Sequence, residues 1–175
     1  ARQPRTYVPW NKQGNHSAMP ELVDEHIKNV LSLSYIDLEA IRRRKFKVVV
    51  DCVNAAGGVI IPKLLNELGC TVIEMACDVS GGFSHTPEPL PENLTGICSR
   101  VREEHADLGV AVDPDVDRLV LINEHGEPFG EEYTLASAVQ FVLGKKSGAH
   151  GEALKVATNL STTRAIDDIC AAHHV

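Results

Sequence analysis

The chain has 175 residues, enough for one full domain, or for one domain together with parts of others. Hydrophobic residues make up 43% and charged residues 23% of the chain, proportions typical of a globular protein and not of a disordered one. Lys and Arg number 17 against 24 Asp and Glu, and the resulting net charge of −7 argues against nucleic-acid binding.

Hydrophobic patterns along the chain predict helices that alternate with strands. Residues 1–20, with three prolines and a glycine, form a predicted connector. The β-branched run over residues 46–53 is continuous, which is typical of a parallel strand buried on both faces. The predicted helices cover residues 20–33, 37–44, 59–68, 91–105, 131–143 and 161–172. The predicted strands cover residues 46–53, 71–77, 107–113, 118–123 and 154–158.

This alternation predicts an α/β fold with a mostly parallel sheet. A complete α/β unit fits into residues 37–145. Residues 1–36 are then expected to be a connector and the C-terminal tail of a preceding domain. Residues 146–175 are expected to be a linker and the start of an incomplete further domain. The sequence contains no run of 18 apolar residues, so it predicts no membrane-spanning helix and no membrane partner.

The cysteines are odd in number, have no C-x-x-C spacing and lie mostly inside apolar runs. These features favour buried, reduced thiols over a disulfide framework or a zinc site. Reduced thiols in turn predict a cytoplasmic protein. The five cysteines are Cys52, Cys70, Cys77, Cys98 and Cys170.

Three aspartates alternate along the segment that follows the predicted strand over residues 107–113. Asp113, Asp115 and Asp117 lie at the carboxyl end of that strand, where open α/β sheets bind their ligands. Three ionised carboxylates in one short loop repel each other, and a divalent cation is the natural counter-charge. Oxygen ligands favour Mg²⁺, Ca²⁺ or Mn²⁺ over zinc and copper. The planar guanidinium of Arg118 suits a phosphate held beside such an ion.

The aspartates are open to two other interpretations. The first is an ordinary solvated turn. The second is an EF-hand loop, in which Asp113 would take position 1 and Glu124 position 12. Against the EF-hand, Arg118 stands at the position that needs glycine, and a strand rather than a helix precedes the loop.

Two further features receive structural interpretations. The turn over residues 54–58 lacks the G-x-G-x-x-G pattern, so its glycines are predicted to serve tight turning and close packing rather than dinucleotide binding. His85 lies in a proline-rich loop over residues 78–91 and is predicted to be a hydrogen-bonding residue of that loop.

Several motifs, in the right order, resemble the α-D-phosphohexomutases, which include phosphomannomutase, phosphoglucomutase and phosphoglucosamine mutase. The D-x-D-x-D-R pattern of residues 113–118 is similar to the magnesium loop of that family's second domain. One departure is Ala55, where many members have glycine. Residues 7–10 and 159–164 most resemble the bacterial phosphoglucosamine/phosphomannomutase type. The other matching segments are residues 48–58, 83–94, 106–113 and 126–133.

The resemblance implies a three-layer α/β/α domain with a mostly parallel, mixed sheet. It implies that Asp113, Asp115 and Asp117 bind Mg²⁺ and that Arg118 is a catalytic residue that contacts the phosphate in the transition state. The whole enzyme would move a phosphoryl group between the 1- and 6-oxygens of a hexose phosphate through a phosphoserine. The hexose phosphate would be its substrate partner.

The phosphoserine motif, the sugar-binding loop and the distal phosphate-binding loop of that family are not found in this sequence. The chain is therefore expected to be a central fragment, inactive on its own, that contains the family's second domain. The alternatives are a haloacid-dehalogenase-like phosphotransferase and a stand-alone metal-binding or scaffolding domain without catalysis. The dehalogenase motif belongs near the start of its domain, which disfavours the first.

Overall fold

The computed structural model describes residues 7–146 and 154–175. In these residues the predicted alternation of helices and strands is present. The α-helices are α1 (Glu21–Leu31), α2 (Leu38–Arg44), α3 (Gly57–Glu67), α4 (Thr95–Glu104), α5 (Glu131–Lys146) and α6 (Ala165–Ala172). The strands are β1 (Lys47–Asp51), β2 (Thr71–Met75), β3 (Leu108–Val112) and β4 (Leu119–Ile122).

The four strands form one sheet in the order β2-β1-β3-β4. Strand β1 pairs in parallel with β2 and β3, whereas β4 runs antiparallel to β3. The carboxyl ends of β1, β2 and β3 therefore meet at one edge of the sheet, which we call the carboxyl edge. The prediction of a mostly parallel, mixed sheet is confirmed.

Helices cover both faces of the sheet, so the fold has three layers. The side chains of β1 alternate, with Val49 on one face and Val48 and Val50 on the other. The face of Val49 packs against α4, and the opposite face packs against α3. Both faces of β1 are buried, which explains why its sequence is a continuous β-branched run.

The N-terminal region contacts the sheet domain through α1. Asp24 of α1 forms an ion pair with Lys63 of α3. Asp37 caps α2 by accepting a hydrogen bond from the Ala40 amide at 2.9 Å. No helix in the described part of the chain is long and apolar enough to span a membrane.

The prediction of a strand over residues 154–158 is wrong. This segment forms no strand, because a strand needs a hydrogen-bonded neighbour and these residues lie beside α5 instead of at the sheet. The helix predicted over residues 161–172 begins only at Ala165. The side chain of Asn159 accepts hydrogen bonds from Ser161 and Thr162, which holds this stretch in a turn.

The helix predicted over residues 91–105 is divided in two. A 3₁₀ turn occupies Pro91–Asn93, and α4 follows it from Thr95. The division of the chain at residues 37 and 145 stays a prediction.

Candidate metal centre

The three predicted metal ligands lie together at the carboxyl edge of the sheet. Asp113 directly follows β3 and is buried, with 2% of its surface exposed, whereas Asp115 and Asp117 are exposed. One carboxylate oxygen from each residue lies within 4.8 Å of those of the other two. We call residues 113–118 the acidic loop.

The donor set of the acidic loop fits a hard divalent cation. Ligand oxygens lie about 2.0–2.1 Å from Mg²⁺, so those on opposite sides of the ion are about 4 Å apart. The observed spacing is close to this value, and Asp115 and Asp117 are exposed. Carboxylate oxygens alone suit Mg²⁺, Ca²⁺ or Mn²⁺ better than zinc or copper.

Arg118 folds back over the acidic loop and contacts the buried ligand. Its amide donates to Asp113 Oδ1 at 3.1 Å, and its Nε donates to Asp113 Oδ2 at 2.8 Å. Its Nη1 forms an ion pair with Glu88. Asp117 Oδ1 lies 3.7 Å from Nε. The guanidinium thus lies between two carboxylates from distant parts of the chain.

The charges of the acidic loop affect one another's ionisation. Burial disfavours the charged form of Asp113, but hydrogen bonds from the Arg118 backbone and side chain outweigh burial and lower the pKa of Asp113. A hydrogen bond with Asp113, together with the charge of Asp115, raises the pKa of Asp117. Contacts with Glu88 and then with Asp113 raise the pKa of Arg118. Arg118 therefore acts as a permanent counter-charge in the loop.

The backbone of the acidic loop adopts an unusual conformation. Val116 has a φ of +62°, in the left-handed region that β-branched residues rarely occupy. Its amide donates to the Asp113 carbonyl at 3.2 Å and closes the turn. The tight turn keeps the alternating aspartates on a short segment, where their carboxylates meet.

A second buried carboxylate, Asp51, lies at the end of β1 and is 4% exposed. Its Oδ1 accepts a hydrogen bond from the Val53 amide at 3.0 Å, and its Oδ2 lies 2.9 Å from His85 Nε2. The other ring nitrogen of His85 lies 2.9 Å from the Thr86 carbonyl. Both neighbours of the ring are acceptors, so a ring nitrogen that carries a hydrogen can donate to either of them. The prediction that His85 is a hydrogen-bonding loop residue is confirmed.

The loop over residues 78–90, which we call the proline-rich loop, is also fastened to the carboxyl edge by Asn54. The side-chain amide of Asn54 donates to the Gly82 carbonyl at 3.0 Å, and its oxygen accepts from the Asp78 amide at 3.2 Å. The Asn54 carbonyl accepts from the Gly81 amide at 3.0 Å. The turn after β1 thus serves to anchor this loop.

The acidic loop with Arg118 was predictable from the sequence, whereas the roles of Asp51 and Glu88 were not. Asp51 ends an apolar strand, and a lone carboxylate at that position carries no visible signal. Glu88 is 30 residues away from Arg118, and no local spacing connects the two. Only the return of the proline-rich loop to the carboxyl edge brings them together.

Comparison with known proteins identifies the family. The family described as phosphoglucomutase/phosphomannomutase, alpha/beta/alpha domain II, matches residues 24–126. A probable phosphoglucosamine mutase from Methanopyrus kandleri is 32% identical over 93% of this chain and 34% of its own length. A phosphoglucomutase/phosphomannomutase from Thermococcus kodakarensis is 35% identical over 91% of this chain and 34% of its own length.

A solved structure agrees with the sequence matches. A phosphoglucomutase/phosphomannomutase family protein from Burkholderia thailandensis superposes with a TM-score of 0.62 at 28% identity, over 71% of this chain and 26% of that protein. The chain spans about a third of the length of the curated relatives it matches. From these matches together, the chain belongs to the phosphoglucomutase/phosphomannomutase family, with the alpha/beta/alpha domain II of that family between residues 24 and 126.

Proposed function

We propose that this chain provides the metal-binding part of a phosphohexomutase that interconverts hexose 1-phosphates and 6-phosphates. The sugar would be phosphoglucosamine, phosphomannose or phosphoglucose, in keeping with the names of the relatives. The observation that carries the proposal is the meeting of Asp113, Asp115 and Asp117 with Arg118 at the carboxyl edge.

In this proposal, the three aspartates hold Mg²⁺ through their carboxylate oxygens. Mg²⁺ bound there would supply Lewis-acid chemistry and a counter-charge for the oxygens of the phosphoryl donor, which we propose to be a phosphoserine outside this chain. Asp113 is held rigidly by β3 and by its burial, so it fixes where the other two ligands converge.

Arg118 has a donor left for the transferring phosphate. Its Nε and Nη1 are engaged by Asp113 and Glu88, but its Nη2 makes no hydrogen bond to the described residues. A guanidinium held on one side by carboxylates presents its remaining N–H groups in a fixed direction. We infer that these groups stabilise charge on the phosphate in the transition state.

We also propose a cellular location for the enzyme and an activity state for the isolated chain. All five cysteines are free thiols, which favours a reducing compartment such as the cytoplasm. The chain alone is expected to be inactive, since the catalytic parts of a phosphohexomutase act as a unit and the chain spans a third of its relatives.

The metal site is tested by titrating the chain with Mn²⁺ and following paramagnetic line broadening by NMR. We expect broadening around residues 113–118 that Mg²⁺ reverses. Asp115→Ala is expected to weaken Mn²⁺ binding at least tenfold, because one of three ligands is lost. Asp78→Ala removes an exposed carboxylate of the proline-rich loop and serves as the matched control.

The same substitution tests the reaction in the complete mutase that contains these residues. Asp115→Ala is expected to abolish turnover of a hexose 1-phosphate, measured by coupled assay. Near-normal turnover would refute the assigned role. Metal binding by a complete protein that has no mutase activity would instead favour the alternative, a metal-binding domain without catalysis.

A further inference from the structure

Glu88, which lies outside the acidic loop, forms an ion pair with Arg118. Resting on the function proposed above, we infer that Glu88 is a positioning residue: it orients Arg118 toward the phosphate and cancels its charge beside the metal ligands. The proposal concerns the proline-rich loop, which contributes none of the metal ligands or phosphate contacts assigned above.

Two carboxylates from different parts of the fold contact the guanidinium of Arg118. Asp113 follows β3 and contacts Nε at 2.8 Å, while Glu88 belongs to the proline-rich loop and contacts Nη1. Contacts to two separate nitrogens define both the position and the plane of a guanidinium. Asp113 alone would leave the group free to rotate about the Nε contact.

Glu88 is presented by a stretch of backbone with little freedom. Pro87 and Pro89 flank it, and each proline ring restricts the local φ. The Glu88 carbonyl accepts hydrogen bonds from the Leu90 amide at 2.8 Å and from the Asn93 side chain at 2.9 Å. On the other side, the contact of His85 Nε2 with Asp51 Oδ2 at 2.9 Å ties the loop to β1. The backbone that carries the Glu88 side chain is therefore held in place from both sides.

The charge of Glu88 matters because Arg118 lies against a metal ligand. A guanidinium 2.8 Å from Asp113 repels a cation that shares this carboxylate. The negative charge of Glu88 offsets that repulsion. The three aspartates then attract a metal cation without opposition from Arg118. Without Glu88, Arg118 would also be free to move further onto Asp113 and Asp117 and compete for their oxygens.

The test compares Glu88→Gln with Glu92→Gln in the 175-residue chain. Both substitutions remove one negative charge and keep the side-chain shape. Glu92 is exposed in the neighbouring 3₁₀ turn and makes no hydrogen bond or ion pair with the described residues. Two quantities are measured: the Mn²⁺ dissociation constant by NMR relaxation, and the Nε–Hε signal of Arg118 in a ¹⁵N-labelled sample without metal.

We expect Glu88→Gln to weaken Mn²⁺ binding at least fivefold relative to Glu92→Gln and to shift or broaden the Arg118 Nε–Hε signal. A purely structural role would change neither quantity in a folded variant, and dispersed backbone spectra check the fold. The proposal is overturned if either quantity is the same in the two variants. If the unsubstituted chain binds no Mn²⁺, the proposed metal function fails, whereas the Arg118 signal still decides whether Glu88 positions the side chain.

Discussion

Charged side chains at the carboxyl edge are stabilised by specific partners. Asp113 is buried yet ionised, because two donors of Arg118 compensate for its lost hydration. Asp51 is similarly compensated by the Val53 amide and the His85 ring. At the scale of residues, each buried carboxylate of this edge therefore has hydrogen-bonding partners, and removing a partner leaves the carboxylate without compensation.

The Asp51–His85 pair leads to a prediction about stability. Asp51→Ala is expected to destabilise the chain by about 2–3 kcal/mol, because it leaves His85 and the Val53 amide without their acceptor. Asp51→Asn is expected to cost about 1 kcal/mol, since an amide can accept from Val53 and donate to a neutral imidazole. Urea unfolding measures both values.

Asp78→Ala provides the control for that experiment. Asp78 is exposed, and its side chain makes no hydrogen bond or ion pair within the described residues, so a change within about 0.5 kcal/mol is expected. Equal losses for Asp51→Ala and Asp51→Asn would show that the negative charge, rather than the hydrogen-bonding geometry, holds the pair together.

Elements approach one another closely where α3 begins beside the segment that follows β2. A Cβ atom on Gly58 would lie 2.3 Å from the Cys77 carbonyl oxygen and 2.9 Å from its carbonyl carbon. Because the obstructing atoms are backbone, a side chain cannot rotate away to make room. The glycines of the turn after β1 therefore permit close packing, as the sequence predicted.

Gly58→Ala is expected to destabilise the chain by about 1–3 kcal/mol, through a forced separation of α3 from β2. Gly82→Ala is the matched control, because the nearest atom to a Cβ there is Ser80 Oγ at 3.8 Å. The control should change stability by less than about 1 kcal/mol, with a small gain from the stiffer unfolded chain. Thermal unfolding of the two variants compares them, and equal midpoints would contradict the packing argument.

A helix or strand was predicted correctly where burial of its side chains determines the local sequence pattern. Strand β1 was predictable because burial on both faces demands an apolar residue at every position. The strand predicted over residues 154–158 is also rich in apolar residues, but pairing requires a neighbour and that stretch lies beside α5. The local sequence pattern predicts which residues are buried, but it does not predict which strand a segment pairs with.

The whole molecule has its main core between residues 48 and 122. The clusters on both faces of the sheet contain residues of β1, β3, β4 and α4, together with partly buried side chains of α3 and β2. Residues 154–175 contribute to neither cluster. Helix α6 instead packs beside α5, where Ile166 is buried.

A chain that ends at Lys145 is therefore expected to keep the folded sheet and its metal affinity. Its cooperative urea transition should persist, and Mn²⁺ broadening around residues 113–118 should be unchanged. The C-terminal half of α5 loses contacts with α6 and should exchange its amide hydrogens faster. Loss of the cooperative transition would show that the predicted boundary at residue 145 is wrong.

The sequence by itself determined the α/β class, the buried central strand and the acidic loop with its last residue, Arg118. These features were visible because burial and charge repulsion act over a few neighbouring residues. Tertiary structure alone decided that His85 meets Asp51 and that Glu88 meets Arg118. It also imposed the left-handed backbone of Val116, since local preference opposes that conformation. These contacts join distant segments through the parallel sheet, and only its topology brings the ends of those segments to one edge.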